Sequence, residues 1–371
     1  MARKEDIIAA LRLISTSKVG AKSFLNLVND AGSIKKALDN VLANPKLENW
    51  SEEQALAEYE KAQKLGVKIL LYSDDEYPKA LINSGNYPPI LYAKGNTDVL
   101  NMSRYVAIVG GRSASVNGRK IASRIAYDLS EEGVCIVSGM ARGIDTAAHK
   151  GAMYSHKQNG PTIAVLGTGV DVVYPPENKP VYDEILQNGC IISEIPLSTQ
   201  AIAANFPRRN RIVAALAEAV VVVEASINSG SLITAKFGAE MGKMLFAVPG
   251  TPGESRTGGA NLLIKNGATL VESATDILPF LKGNKIISNK QKEQLKQKVL
   301  VFENNDVNYS EQKEQPDGLI GFLTVDGTDI DELIRITGKT PSVLAMEILE
   351  LELEGVVERR AGNKIALINK S

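Results

Sequence analysis

Cysteine is nearly absent from this 371-residue chain: Cys135 and Cys190 stand alone, each inside an apolar run, VCIVSG and CIISEI. Two thiols make no disulfide framework, and neither has a partner at metal-ligand spacing, so both read as small buried hydrophobes. Histidine is as scarce, with only His149 and His156. No Ser/His/Asp pattern, nucleophile elbow or phosphate-binding Gly-x-x-x-x-Gly-Lys-Ser/Thr loop occurs; the nearest stretch, GAEMGKM, lacks both the spacing and the hydroxyl. Asp171, Glu194 and Glu224 sit near expected strand ends, but nothing in the sequence brings two of them together. Binding without turnover is the expectation. No run approaches the ~20 apolar residues of a membrane span. Charges interrupt the opening MARKEDIIAALRLI before a signal-peptide core forms. A cytoplasmic setting without membrane contact is expected. An excess of one charge sign is missing too. Lys plus Arg number 42 against 43 Asp plus Glu, a net charge of -1. Any polyanion site must therefore be a local patch.

What is present falls into segments. Residues 1–66 read as helical, with Ile7, Ile8, Leu11 and Ile14 at helical spacing and a Val19-Gly20-Ala21 turn into SFLNLVNDAG. This suits a SAM-like or helix-hairpin-helix unit, or a plain helical bundle that only packs on its neighbour. From 67 to 283, short apolar runs alternate with helical stretches: KILLY, ILYAKG, YVAIVGG, VCIVSG, TIAVLG, CIISEI, AVVVVEA and LFAVPG. Near-continuous Val, Ile and Leu mark parallel strands buried on both faces. The expected fold is α/β, an extended Rossmann-like doubly wound core. Residues 284–315 are lysine-rich and polar, a linker or a loosely packed helix. Residues 316–371 read as helix, helix-turn-helix and a hairpin around Ala361-Gly362-Asn363, a C-terminal winged helix.

Several strands end in small residues that open a helix, the place where an open α/β sheet holds its ligand. Gly110, Gly111, Arg112 and Ser113 form the first such turn, and Ser138, Gly139 and Arg142 the second. Tyr174-Pro175 shapes a third loop, and Ser229, Gly230 and Ser231 begin a fourth. Amides at helix starts favour anions and arginine adds a planar fork, although ordinary helix capping explains any one such turn. The first turn lacks the Gly-x-Gly-x-x-Gly spacing and the next strand lacks a ribose-binding carboxylate, which disfavours NAD. In NFPRRNRIVAAL, Arg208, Arg209 and Arg211 follow Phe206, as in a surface that tracks a nucleic-acid backbone and stacks a base. The alternative is a solvated helix start with Phe206 as a core plug.

Taken together, GGRSAS, SGMARGIDTAAHKGAM, TIAVLGTGVDVVYPPEN, ISEIP, FPRRNRIVAAL, VVEASINSGSLITAKFGAEMGKMLFAVPG and GGANLLIKNGA resemble the DprA (Smf) family over about residues 73 to 280. The three-part layout is similar as well. The resemblance implies a cofactor-free protein that binds and protects incoming single-stranded DNA, dimerises, and loads RecA recombinase in natural transformation. Carried over by motif, it points to Arg112, Phe206, Arg208, Arg209 and Asn210 as DNA contacts, helped by amides at Gly110, Gly111, Ser138 and Gly139. It places the homodimer contact in the late core, at Leu262, Leu263, Ile264 and Leu270, for which plain core packing is the alternative.

Two departures stand out. The first turn reads Gly-Gly-Arg where many relatives carry Gly-Ser-Arg or Gly-Thr-Arg. From 316 onward ten acidic residues face six basic ones, and the would-be recognition helix SVLAMEILELELEG is acidic. Such a face repels DNA, so a protein-contact or packing role is expected there, with Arg359 and Arg360 left as weak DNA contacts. The same acidity disfavours a transcription factor. A competing enzyme reading, a nucleotide-cleaving phosphoribohydrolase-like protein, requires a Pro-Gly-Gly-x-Gly-Thr turn. The nearest text is VPGTPGES.

Overall fold

The computed structural model describes residues 4–281, apart from 45, 86 and 156–159, together with part of the stretch from 319 to 367. The chain divides into two compact units, Met1–Glu303 and Asn304–Ser371. The expected linker, 284–315, lies outside the described residues, as does His156.

Four helices open the first unit: α1 (Lys4–Ile14), α2 (Ala21–Ala31), α3 (Ile34–Leu42) and α4 (Glu52–Lys64). Their starts are set locally. Ser33 and Ser51 each accept an otherwise orphaned amide of α3 and α4, and Ser51 forms a capping box with Gln54. Nine strands then build one sheet: β1 (Val67–Leu71), β2 (Ile90–Gly95), β3 (Tyr105–Gly110), β4 (Cys135–Ser138), β5 (Thr162–Val165), β6 (Cys190–Ser193), β7 (Ala219–Val223), β8 (Met244–Ala247) and β9 (Thr269–Leu270). Their spatial order is β1-β2-β6-β5-β4-β3-β7-β8-β9. From β6 to β9 all neighbours are parallel; β2 joins β6 antiparallel, and β1 joins β2 antiparallel.

The helices of this core are α5 (Lys79–Asn83), α6 (Val116–Glu131), α7 (Ile144–Met153), α8 (Lys179–Asn188), α9 (Asn205–Leu216), α10 (Ser231–Glu240) and α11 (Gly258–Lys265). Alternate strand residues feed different cores. Val137, Val165, Ile192 and Val222 pack with Leu81, Ile212, Ala235 and Leu263 from α5, α9, α10 and α11. Ile108, Ile136 and Val221 pack with Ile125 and Ala148 from α6 and α7, and Ala164 and Ile191 with α8 and the four N-terminal helices. Each fully buried aliphatic side chain contributes about 1.5–3 kcal/mol, which favours two covered faces over one. Both cysteines are buried in the first of these cores, where burial pushes the Cys190 thiol up to about 12 and the Cys135 thiol also upward. They are packing residues, as their apolar settings predict.

The second unit contains β10 (Thr328–Asp329), α12 (Ile330–Thr337), β11 (Val357–Arg360) and β12 (Lys364–Leu367), with strands ordered β10-β12-β11. Leu323, Leu333, Leu344, Ile348, Val357 and Ile365 form its core. Arg359 and Arg360, the expected weak DNA contacts of the wing, are bound to Glu352 and Glu358 at 2.8 Å each. The fold is an extended Rossmann-like α/β core with an N-terminal helical domain and a C-terminal winged helix.

Candidate nucleic-acid interface

The sheet's chain order reverses between β3 and β7, so their carboxyl ends define the crevice where doubly wound folds place a ligand. Here that crevice is filled. Glu224, just past β7, accepts the Ser115 amide at 2.7 Å and the Ser115 hydroxyl, while Ser115 caps α6 through the Gly118 amide. A carboxylate thus occupies the helix start that a phosphate would use. The Gly111 amide is also spent, on the Glu224 carbonyl at 2.8 Å. Within the expected amide cradle at the first turn, the Gly111 amide is therefore corrected: it answers an acceptor of the protein itself.

The second turn is consumed likewise. Asp145 accepts the amides of Gly139 and Ala141 at 3.1 and 3.3 Å, and the Ser138 hydroxyl donates to the Ile108 carbonyl at 2.7 Å. Burial raises the Asp145 carboxyl, against the opposing pull of Arg209 and the two amides. Gly143 follows with φ of 77°, and a side chain there would meet the Arg112 carbonyl at 2.6 Å, so this turn lies directly on the first. Arg142, exposed, is ion-paired with Glu177. In the fourth turn, Ser229 Oγ accepts the Ser231 amide at 3.3 Å and contacts the Ser231 hydroxyl at 2.7 Å, and the Gly230 carbonyl accepts from the Asn210 side chain at 3.1 Å.

The arginines after Phe206 separate by helical phase. Arg209, Ile212, Val213 and Leu216 share the inward stripe of α9, and Arg209 is only 6% exposed. Its guanidinium donates to the carbonyls ending β4 and β5, Gly139 and Val165. Burial lowers it to about 10. Arg211 is buried as well and ion-paired with Glu194. These two expected DNA contacts are corrected to internal braces, because a buried cation needs a partner more than a polyanion needs a third arginine. Arg208 alone of the three is exposed; Asn210 is half-buried.

What the rim does offer is a stack. Phe206 rests over Gly167 at the end of β5, where an added side chain would sit 3.0 Å from the ring. Tyr174, 41% exposed, lies with its ring centroid 5.3 Å from that of Phe206, tilted by 35°. The exposed Arg112 guanidinium stands 5.8 Å from the Phe206 centroid. Among the described residues Arg112 pairs with no carboxylate. Tyr174 was singled out for loop rigidity; its place beside Phe206 comes from the chain crossing between β5 and β6, which periodicity does not reveal.

Sequence reasoning also missed a groove of about 740 Å³ between α6 and α7, lined by Lys120, Arg124, Tyr127, Lys150 and Tyr154 among others. Its signal was available: positions 116, 120, 123, 124 and 127 recur on one helical face. Of the dimer candidates, Leu262 and Leu270 are exposed, Ile264 is half-buried against the core, and Leu263 is 3% exposed. Leu263 is thus corrected to a core residue.

Family comparison agrees with the geometry of the fold. The model for DNA recombination-mediator protein A matches residues 68–282, that for the DprA-like N-terminal HHH domain 4–62, and that for the DprA winged helix 308–363. The chain belongs to the DprA (Smf) family. Protein Smf of Synechocystis is 32% identical over 329 residues, covering 82% of this chain and 81% of that protein. DNA processing protein DprA of Streptococcus pneumoniae is 43% identical over 205 residues, 55% of this chain and 71% of its own. The X-ray structure of Streptococcus pneumoniae DprA superposes with a TM-score of 0.62 at 32% identity, covering 76% of this chain and 99% of that one. DNA processing protein A of Helicobacter pylori, whose structure concerns a single-stranded DNA binding mode, gives 0.51 at 32% identity over 57% and 94%. A DNA-processing role in recombination follows for the DprA-family chain described here. No described helix is long and apolar enough to cross a membrane.

Proposed function

We propose that this chain binds single-stranded DNA along the Arg112–Phe206–Tyr174 rim, without turnover and without a cofactor, as a homodimer. The observation that carries the reading is the stack itself: two partly open aromatic faces with an uncommitted guanidinium beside them. An unpaired base has a free π-face for Tyr174 or Phe206, whereas a duplex hides both faces of every internal base. Arg112 beside the ring and the exposed Arg208, two residues after Phe206, are the cations this reading assigns to phosphates near the stacked base. The Gly111, Gly139 and Ala141 amides in the turns beneath are already bonded within the protein and so contribute rigidity there.

Binding without turnover fits the fate of the acidic groups near the strand ends. Asp145, Glu194 and Glu224 are engaged with amides, Arg211 and Ser115 respectively. Family resemblance extends the reading to a recipient for the strand, RecA recombinase, and to natural transformation. A strand-exchange assay with RecA tests that extension: the protein should shorten the lag for RecA loading on single strands.

The primary test is titration of single- and double-stranded oligonucleotides at several salt concentrations. Wild type should prefer the single strand. Phe206→Ala should weaken it by about 1–3 kcal/mol, the worth of one stacked base. Arg112→Ala should weaken all sequences alike and flatten the log-log salt slope by about 0.7. Equal affinity of Arg112→Ala and wild type refutes the site.

A further inference from the structure

Away from the rim, α6 and α7 pack closely enough that a side chain at Gly151 would meet the Ser123 Cα at 2.7 Å. With the helices touching at the floor, their longer side chains splay above it and leave the groove of about 740 Å³. Not all its cations are available. Arg124 is held by Asp128 at 2.8 Å, Arg142 is paired with Glu177, and Arg119 donates to the Ala114 carbonyl. Lys120 and Lys150 are exposed, and among the described residues neither pairs with a carboxylate. The same groove is lined by Tyr154, 59% exposed, Val116, 61% exposed, and Tyr127, whose ring lies 5.9 Å from the Arg124 guanidinium. Large apolar and aromatic surface left in water beside unneutralised ammonium groups is the composition of a surface that tracks a phosphodiester chain and stacks its bases.

The groove also begins where the rim ends. Gly143 lines it, and the same residue lies against the Arg112 carbonyl, with the Ile144 amide bonded to the Gly111 carbonyl at 3.2 Å. From Val116 to Tyr127 α6 runs about 17 Å. That length accepts about five nucleotides at the 3.4 Å spacing of a stacked strand.

We propose that the α6/α7 groove is a second single-strand site, continuous with the rim, which holds the nucleotides leaving the Phe206 stack. It rests on the rim reading, and the two are separable by oligonucleotide length. The rim takes a short strand by itself. The groove adds affinity only to a strand long enough to reach it.

The experiment uses the full chain, with oligothymidines of about 4 and about 20 nucleotides, one too short to span rim and groove and the other longer than the sites of other single-strand binders. Wild type, Arg112→Ala and the double variant Lys120→Ala/Lys150→Ala are titrated by fluorescence anisotropy, and their thermal midpoints compared. The double variant should bind the short strand as wild type does and the long strand about tenfold more weakly. Its salt slope on the long strand should be shallower by about 1.4, two phosphates' worth. Lys120→Arg/Lys150→Arg should restore both values. Unchanged long-strand affinity and slope in the double variant, with Arg112→Ala impaired, overturns the groove and leaves the rim standing. Normal binding by Arg112→Ala, with the double variant impaired at both lengths, overturns the rim reading and with it the idea of a continuation. Wild type binding both lengths equally well overturns the groove also.

Discussion

His149 sits under the sheet with no exposure, its Nδ1 2.7 Å from the Thr162 hydroxyl, which itself donates to the Ile136 carbonyl at 2.8 Å. Nδ1 therefore carries the ring proton, and Nε2 is buried without a partner. Burial, helped by the Arg209 charge, lowers the imidazole from 6.5 to about 3. Between those values the unfolded chain takes up a proton that the native state refuses. The stability contribution is complete above pH 6.5 and is lost as pH falls toward 3, at about 1.4 kcal/mol per unit. His149→Gln should flatten the dependence of denaturant midpoint on pH between 6 and 4; identical slopes contradict the assignment. Arg209 and Arg208 give a sharper contrast between neighbours. Arg209→Ala leaves Asp145 without its nearby cation and the Gly139 and Val165 carbonyls without their donor, and should cost about 3 kcal/mol in urea unfolding. Arg208→Ala should change stability by under about 0.5 kcal/mol while weakening DNA. The inward turn of Arg209 was legible, because 209, 212, 213 and 216 share one helical stripe. Charge alone obscured it.

At the level of elements, the strands were legible because unbroken Val, Ile and Leu runs leave few alternatives. β9 was not, since two residues carry no period. Nor was the antiparallel attachment of β2 to β6, because an apolar run does not encode the direction of its neighbour. The groove between α6 and α7 went unread for a different reason. Arg119, Lys120 and Arg124 look like the solvated face of any helix until α7 brings Lys150 and Tyr154 opposite them. That juxtaposition depends on Gly151. Gly151→Ala forces a methyl group against the Ser123 backbone and should destabilise by about 1–3 kcal/mol, lowering the thermal midpoint. Unaltered melting would mean the helices have room to separate.

For the whole molecule, near-neutral charge is compatible with the proposed strand binding because the cations it uses are local: Arg112 and Arg208 at the rim, Lys120 and Lys150 along the groove. The homodimer expectation belongs to this scale too. β9 ends the sheet; its Leu270 and Leu262 of α11 are 46% and 36% exposed. Leu262→Asp/Leu270→Asp should yield a monomer in sedimentation while single-strand affinity per protomer persists. A dimer surviving both substitutions moves the contact elsewhere. Of the candidate site, sequence singled out Phe206 and Arg112, which the structure brings side by side; the fate of the Gly111 and Ser115 amides was not legible, because Glu224 approaches Ser115 from 109 residues away.

That approach has a consequence for selectivity. The α6 start, where a single anionic head group would sit, is already taken by the protein's own Glu224. On the proposed reading, a polymer that adds many shallow holds along one track is retained where a lone head group is not.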